Sequence, residues 1–75
     1  MKTLAQIKNE ASKLYMQLEL GLFFDTYHDT MRYMVEELDY LEEDIEGDYQ
    51  IAESILLKCR AIIRAQKLLL NVNIK

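Results

Sequence analysis

Few residues in this chain have the types and spacing that chemistry requires. Asp25 and His28 lie three residues apart, which would put a carboxylate and an imidazole on one face of a helix. Carboxylate-bridged di-metal bundles use such units, but they need two of them and two further glutamates. The chain contains a single histidine. We therefore expect His28 to be a surface residue beside Asp29 and Arg32, without a metal.

Residues 44–48 alternate acids in the manner of a calcium-binding loop. That loop requires glycine at its sixth position and a bidentate glutamate at its twelfth. Counted from Asp44, the glycine is Gly47 at the fourth position, and the twelfth residue is Ile55. We reject a calcium site, and we expect the chain to bind no metal and no cofactor.

Cys59 is the only cysteine, so the chain cannot form an internal disulfide, which fits a reducing compartment. It lies between Leu56 and Ile62 on an apolar stripe, where a free thiol behaves as a small hydrophobic side chain. No base is placed to activate it. The sequence also lacks a glycine-rich phosphate loop and a nucleophilic-serine motif. We expect a cytoplasmic protein with no catalytic residues, not an enzyme.

The elements that carry these residues are predicted to be helices of one small domain. Thr3 and Gln6 have the spacing of a capping box, and apolar residues then recur at steps of three and four. The predicted fold is all-α, a small antiparallel bundle in which the second and third helices form a long hairpin. The three helices are expected near residues 4–20, 25–46 and 49–72.

Both helix boundaries depend on local signals. The first two apolar runs are out of phase near Gly21, which favours a break there, with Asp25 or Thr26 capping the new helix. In the alternative, helices one and two fuse into a single rod whose N-terminal half a second copy covers. Gly47 is expected to take a left-handed conformation that ends the second helix, and Asp48 to cap the third.

The size of the chain allows dimerisation to complete the core, because 75 residues bury only about 60% of their extended surface. About half of the residues are apolar, which argues against a disordered chain. No apolar run approaches the ~20 residues that span a bilayer, so we expect no membrane contact.

Charge is sorted along the chain, whose formal net charge is −4. The segment charges are +1 for residues 1–24, −9 for residues 25–50 and +4 for residues 51–75. In an antiparallel hairpin, ion pairs between the acidic second helix and the basic third helix would set the register. Two features argue against direct nucleic-acid binding. The chain is acidic overall, and the neighbouring acidic helix would neutralise the basic stripe of Arg60, Arg64 and Lys67.

A group of acids before Gly47 has no basic residue within one helical turn: Glu42, Glu43, Asp44 and Glu46. If the second helix runs to residue 46, these acids lie at its C-terminal end, where the macrodipole is already negative. The simplest interpretation is a solvated acidic turn that aids solubility. Because a placement that costs stability can also reflect use, the alternatives are contact with a basic surface of a partner protein and, after that, binding of a divalent cation.

Exposed aromatic and apolar side chains complete the candidate site. Tyr33 and Tyr40 lie seven residues apart beside the core stripe, and tyrosines among carboxylates are typical of protein-binding surfaces. Leu57 and Leu68 point away from the main seams of the third helix. The residues predicted to bind a partner are Tyr33, Glu36, Glu37, Tyr40, Glu43, Asp44, Leu22 and Phe23.

These features predict a non-catalytic protein–protein interaction module, a small adaptor, chaperone or inhibitor that presents a helical hairpin face to a basic or helical partner protein. One alternative is an acidic decoy, for example phage-encoded, that blocks a basic nucleic-acid-binding surface with salt-sensitive affinity. The chain length, the hairpin and Tyr49-Gln50 are loosely similar to the small co-chaperones of type III secretion needle subunits. That resemblance implies a second alternative, a co-chaperone of a helical secretion subunit.

Overall fold

Three α-helices form the protein in the computed structural model, which describes residues 2–18 and 24–74. They are α1 (Leu4–Met16), α2 (Asp25–Leu38) and α3 (Asp48–Ile74). Each helix packs against the other two, and the described residues contain no strand. The predicted all-α bundle of three helices is therefore confirmed. Because α1 ends at Met16, the alternative in which helices one and two form one rod is wrong.

The start of α1 is the predicted capping box. The Thr3 hydroxyl accepts a hydrogen bond from the Gln6 amide (3.1 Å), and the Gln6 side chain accepts one from the Thr3 amide (2.8 Å). The helix ends before residue 20, where the Gln17 N–H donates to the Leu14 carbonyl (3.0 Å) and the Leu18 N–H donates to the Tyr15 carbonyl (3.2 Å). Leu18 is buried outside the helix.

Helix α2 begins at Asp25, as predicted, but neither Asp25 nor Thr26 caps it. Phe24 occupies the N-cap position and makes no side-chain capping bond. Asp25 is instead the first helical residue, where its charge interacts favourably with the helix dipole.

The end of α2 at Leu38 corrects the prediction that this helix reaches residue 46. The next three amides, up to that of Leu41, bond to the carbonyls three residues earlier at 3.1–3.2 Å, which tightens the chain into a turn. Ile45 continues the apolar spacing of Leu38 and Leu41 in the sequence but is 47% exposed. The acids that follow in the loop therefore lie outside the helix, whereas Glu36 and Glu37 lie in its last turn.

Gly47 has the predicted left-handed conformation, with φ of +96°. No atom lies within 4 Å of the position that a Cβ would occupy, so the backbone angle alone favours glycine. Its role differs from the prediction, because Gly47 immediately precedes α3 and its carbonyl accepts the Ile51 amide at 3.1 Å. Asp48 is the first residue of α3 and not its cap.

The helices run antiparallel between α1 and α2 and between α2 and α3, so α1 and α3 are parallel. The core includes four residues with no exposed surface, which are Ala11, Met31, Ala52 and Cys59. Small residues on α1 and α3 allow the helix backbones to approach closely. The molecule is 48 Å long, close to the ~40 Å expected of the 27 residues of α3. In the part described, no helix combines the length and the apolar character needed to cross a membrane.

Candidate functional site

The structure places the cysteine considered for chemistry in the core. Cys59 is fully buried among apolar side chains, as predicted, and burial raises the pKa of its thiol to about 11. A thiol with so high a pKa stays protonated and is a poor nucleophile. Among the described residues, no group of three or more histidine, cysteine or acidic side chains could hold a metal ion.

His28 is half-buried, which corrects its prediction as a surface residue. Its Nε2 lies 2.9 Å from the Tyr15 hydroxyl, and the two ring centroids are 4.9 Å apart. The predicted neighbour Asp29 lies 3.9 Å from Nδ1 on the exposed side. His28 therefore connects α2 to α1.

The acidic segment before Gly47 lies in the α2–α3 loop, at the start of α1. The Glu43 carboxylate accepts a hydrogen bond from the Leu4 amide (3.2 Å), and the Lys8 ammonium binds the Leu41 carbonyl (3.2 Å). The Asp48 carboxylate accepts the Glu42 amide (2.9 Å), which closes the loop. Acids beside a helix N-terminus are favourable. The predicted unfavourable placement is therefore wrong, and it no longer argues for binding.

The ion pairs also differ from the prediction. Glu10 of α1 binds both Lys2 and Arg60, so the pair that connects two helices joins α3 to α1. Hydrogen bonds from Lys2 and then Arg60 hold the pKa of the Glu10 carboxyl below its ordinary value. In the described ranges no acid of α2 pairs with a base of α3. Lys58 and Glu37 line one groove, as the predicted register implied, but they form no ion pair.

The outer surface of α2 carries several of the predicted partner-binding residues. Tyr33 is 66% exposed, and Tyr40, just after the helix, is 83% exposed. The Arg32 guanidinium lies 5.6 Å from the centre of the Tyr33 ring and 3.7 Å from Asp29. We name the exposed residues Asp29, Tyr33, Glu36 and Tyr40 the α2 stripe.

Two predicted residues near this surface have other positions. Glu37 is exposed beside the stripe, at the groove between α2 and α3. Asp44 is exposed in the loop. Leu22 and Phe23 lie outside the described residues.

The outer surface of α3 carries a second stripe, which the predicted site omitted. Leu57 is 63% exposed and Leu68 is 62% exposed, as expected for residues away from the helix seams. Ala61 and Arg64 are exposed between them at helical spacing. We name Leu57, Ala61, Arg64 and Leu68 the α3 stripe. Its spacing of four, three and four residues was the sequence signal that could have identified it.

A groove between α1 and α3 adjoins the α3 stripe. Its volume is about 420 Å³, and Ile7 and Leu56 are buried at its base. Leu57 lines the groove and belongs to the stripe, so the two surfaces are continuous. Tyr49 and Arg60 also line it. Lys2 and Glu53 complete the lining, so the groove combines apolar and charged side chains.

Comparisons with protein-family models, with curated proteins and with solved structures find no match to this chain.

Proposed function

We propose that this protein is a non-catalytic interaction module that binds an amphipathic helix of a partner protein on the α3 stripe. The observation that carries the proposal is the exposure of Leu57 beside the α1–α3 groove, in which Ile7 and Leu56 are buried. An exposed large apolar side chain that continues into a groove marks a binding surface more strongly than an isolated one does. Leu68, three helical turns further along the same face, extends the surface.

The charge of this surface specifies the partner helix. Arg64 lies within the stripe, and Arg60 and Lys67 lie beside it, all of them exposed. Arg60 binds Glu10, whereas Arg64 and Lys67 form no ion pair within the described ranges. A partner helix with large aliphatic residues flanked by acids would complement both the exposed leucines and the bases of this surface. In this proposal the protein acts as an adaptor, chaperone or inhibitor in the cytoplasm, without cofactor or membrane.

A synthetic helical peptide tests the proposal directly. Its leucines are spaced alternately three and four residues apart, glutamates flank them, and a fluorescent label reports binding by anisotropy. We expect saturable binding that Leu57→Asp weakens about tenfold, the loss of roughly one central apolar contact. Met16→Asp is the matched control, because Met16 is an exposed apolar residue of α1.

The charge of the peptide supplies the second comparison. A peptide with lysines in place of the glutamates should bind less tightly, since it meets Arg64 and Lys67 with like charge. Equal binding of the two peptides, or equal effects of Leu57→Asp and Met16→Asp, would contradict the proposal.

An acidic decoy is the second candidate, and the exposed tyrosines and acids of the α2 stripe favour it. Such a protein would occupy a basic nucleic-acid-binding surface of another protein. A labelled arginine-rich peptide is the probe, and its affinity should fall steeply with added salt and with Glu36→Gln and Glu37→Gln. A co-chaperone of a helical secretion subunit would instead bind with little dependence on salt.

A further inference from the structure

The charges of α2 and α3 complement each other, but the described residues show no ion pair between them. The exposed acids of α2 are Asp25, Asp29, Glu36 and Glu37, and its only exposed base is Arg32. The exposed bases of α3 are Lys58, Arg60, Arg64 and Lys67. The ion pair that connects two helices runs from α3 to α1, so in the described ranges these charges of α2 and α3 are not paired with each other.

The two stripes also match in spacing. Asp29, Tyr33, Glu36 and Tyr40 follow steps of four, three and four residues, and Leu57, Ala61, Arg64 and Leu68 follow the same steps. Each stripe spans about 16 Å at the helical rise. Tyr40 extends the first stripe past the end of α2 because its amide bonds to the Glu37 carbonyl at 3.1 Å. One stripe is acidic and aromatic, and the other is basic and aliphatic.

We infer that the acidic amphipathic helix accepted by the α3 stripe is α2 of a second copy of this chain. The inference rests on the proposed function of the α3 stripe and names its partner. In an antiparallel alignment, Tyr40 of one copy packs on Leu57 of the other. Arg64 then lies opposite Tyr33 and one helical turn from Glu36, where it stacks on the ring and its long side chain reaches the carboxylate.

The contact joins two different surfaces, so it is head-to-tail. Each copy presents one α2 stripe and one α3 stripe on different outward faces of the bundle. When two copies share one contact, the α3 stripe of one copy and the α2 stripe of the other stay free. Such an interface extends into longer assemblies or closes into a ring. A single pair of stripes is smaller than a standard stable interface, so assembly should depend on concentration.

The experiment measures the mass of the full chain by light scattering over increasing concentration. We expect the average mass to rise from the 8.9 kDa monomer past the dimer value. Arg64→Glu and Glu36→Lys should each weaken self-association about tenfold, because each puts like charges at the contact. Both side chains are exposed, so the variants should keep the helical circular dichroism of the parent. Lys13→Glu, the same type of charge reversal on an exposed residue of α1, is the control and should leave the mass profile unchanged.

The decisive measurement is the mass of a mixture of the Arg64→Glu and Glu36→Lys variants. In one contact of the mixture, the lysine introduced by Glu36→Lys faces the glutamate introduced by Arg64→Glu, so the two charges are exchanged but still opposite. In the other contact, the unchanged Glu36 of one variant faces the unchanged Arg64 of the other, as in the parent. The mixture should therefore regain the growth in mass, which a change inside one molecule cannot produce. A mixture that stays as small as its components would overturn the inference.

The outcomes separate this inference from the function on which it rests. A chain that remains monomeric at every concentration but binds the acidic synthetic peptide through Leu57 would overturn the inference and leave the proposed function standing. A chain that does neither would overturn both. Growth in mass that neither charge reversal reduces would contradict the inference, because the association would use another surface.

Discussion

The Arg60 guanidinium of α3 binds the Glu10 carboxylate of α1, with a 2.9 Å hydrogen bond from Nε, across fifty residues of sequence. Lys2 binds the same carboxylate. One acid thereby connects the start of α1 to the middle of α3. The sequence pattern predicts instead that the bases of α3 pair with the acids of α2. In the described ranges no such pair forms, and Arg64 is exposed.

Replacing the shared acid should lower stability near neutral pH. Glu10→Gln removes the anion between two cations, and we expect a loss of about 0.5–1 kcal/mol in the free energy of unfolding, since the group is near the surface. Folding lowers the pKa of the Glu10 carboxyl. Its contribution to the free energy of unfolding is therefore fully present above the ordinary carboxyl pKa of the unfolded chain, and it is lost as the pH falls through the lower pKa of the folded protein. Urea unfolding of parent and variant near neutral pH and in acid measures both effects. The difference in the free energy of unfolding between parent and variant should be smaller in acid than near neutral pH. Glu53→Gln, which replaces an exposed acid of α3, is the control.

The contact between the acidic loop and α1 predicts a difference between two adjacent acids. Glu43→Lys removes the bond to the Leu4 amide and places a cation at the helix N-terminus, which should cost about 1 kcal/mol. Asp44→Lys makes the same charge change at an exposed residue one position away and should cost less. Thermal unfolding compares the two variants. Equal losses would mean that net charge, and not the hydrogen bond, determines the effect.

The Tyr15 hydroxyl should contribute to stability through His28. Tyr15→Phe keeps the ring contact but removes the 2.9 Å hydrogen bond, so we expect a loss of about 1 kcal/mol. Tyr40→Phe serves as the control because Tyr40 is exposed. Chemical unfolding monitored by circular dichroism measures the difference. A loss in the control as large as that in Tyr15→Phe would refute the assignment.

The Cys59 thiol should react with a disulfide reagent only when the core opens. Full burial and the raised pKa both suppress the thiolate in the folded protein. We expect the labelling rate to rise through the urea unfolding transition. A variant that combines Cys59→Ala with Ala61→Cys moves the thiol to an exposed position and should react at once without denaturant. Rapid labelling of Cys59 in the native protein would show that the core opens readily.

The sequence alone determined the three helices, the capping box of Thr3 and Gln6, the left-handed Gly47 and the burial of Cys59. Each depends on residues a few positions apart, through apolar periodicity, a local hydrogen bond or an intrinsic backbone preference. Two predicted site residues, Leu22 and Phe23, lie outside the described part of the chain. Tyr33, Glu36 and Tyr40 are exposed as a binding role requires, and that role stays a prediction.

The tertiary structure decided where α2 ends, which cations Glu10 binds, what contacts His28 and where the acidic loop lies. These features depend on residues far apart in sequence, such as Glu43 at the Leu4 amide and Arg60 at Glu10. Helical periodicity continues through residues 39–46 as a pattern. The chain nevertheless leaves the helix after Leu38, and the loop that follows places Glu43 at the positive end of α1, while Glu36 and Glu37 stay in the last turn of α2. Contacts between segments far apart in sequence, which a one-dimensional pattern does not contain, therefore decided how these residues are arranged on the folded chain.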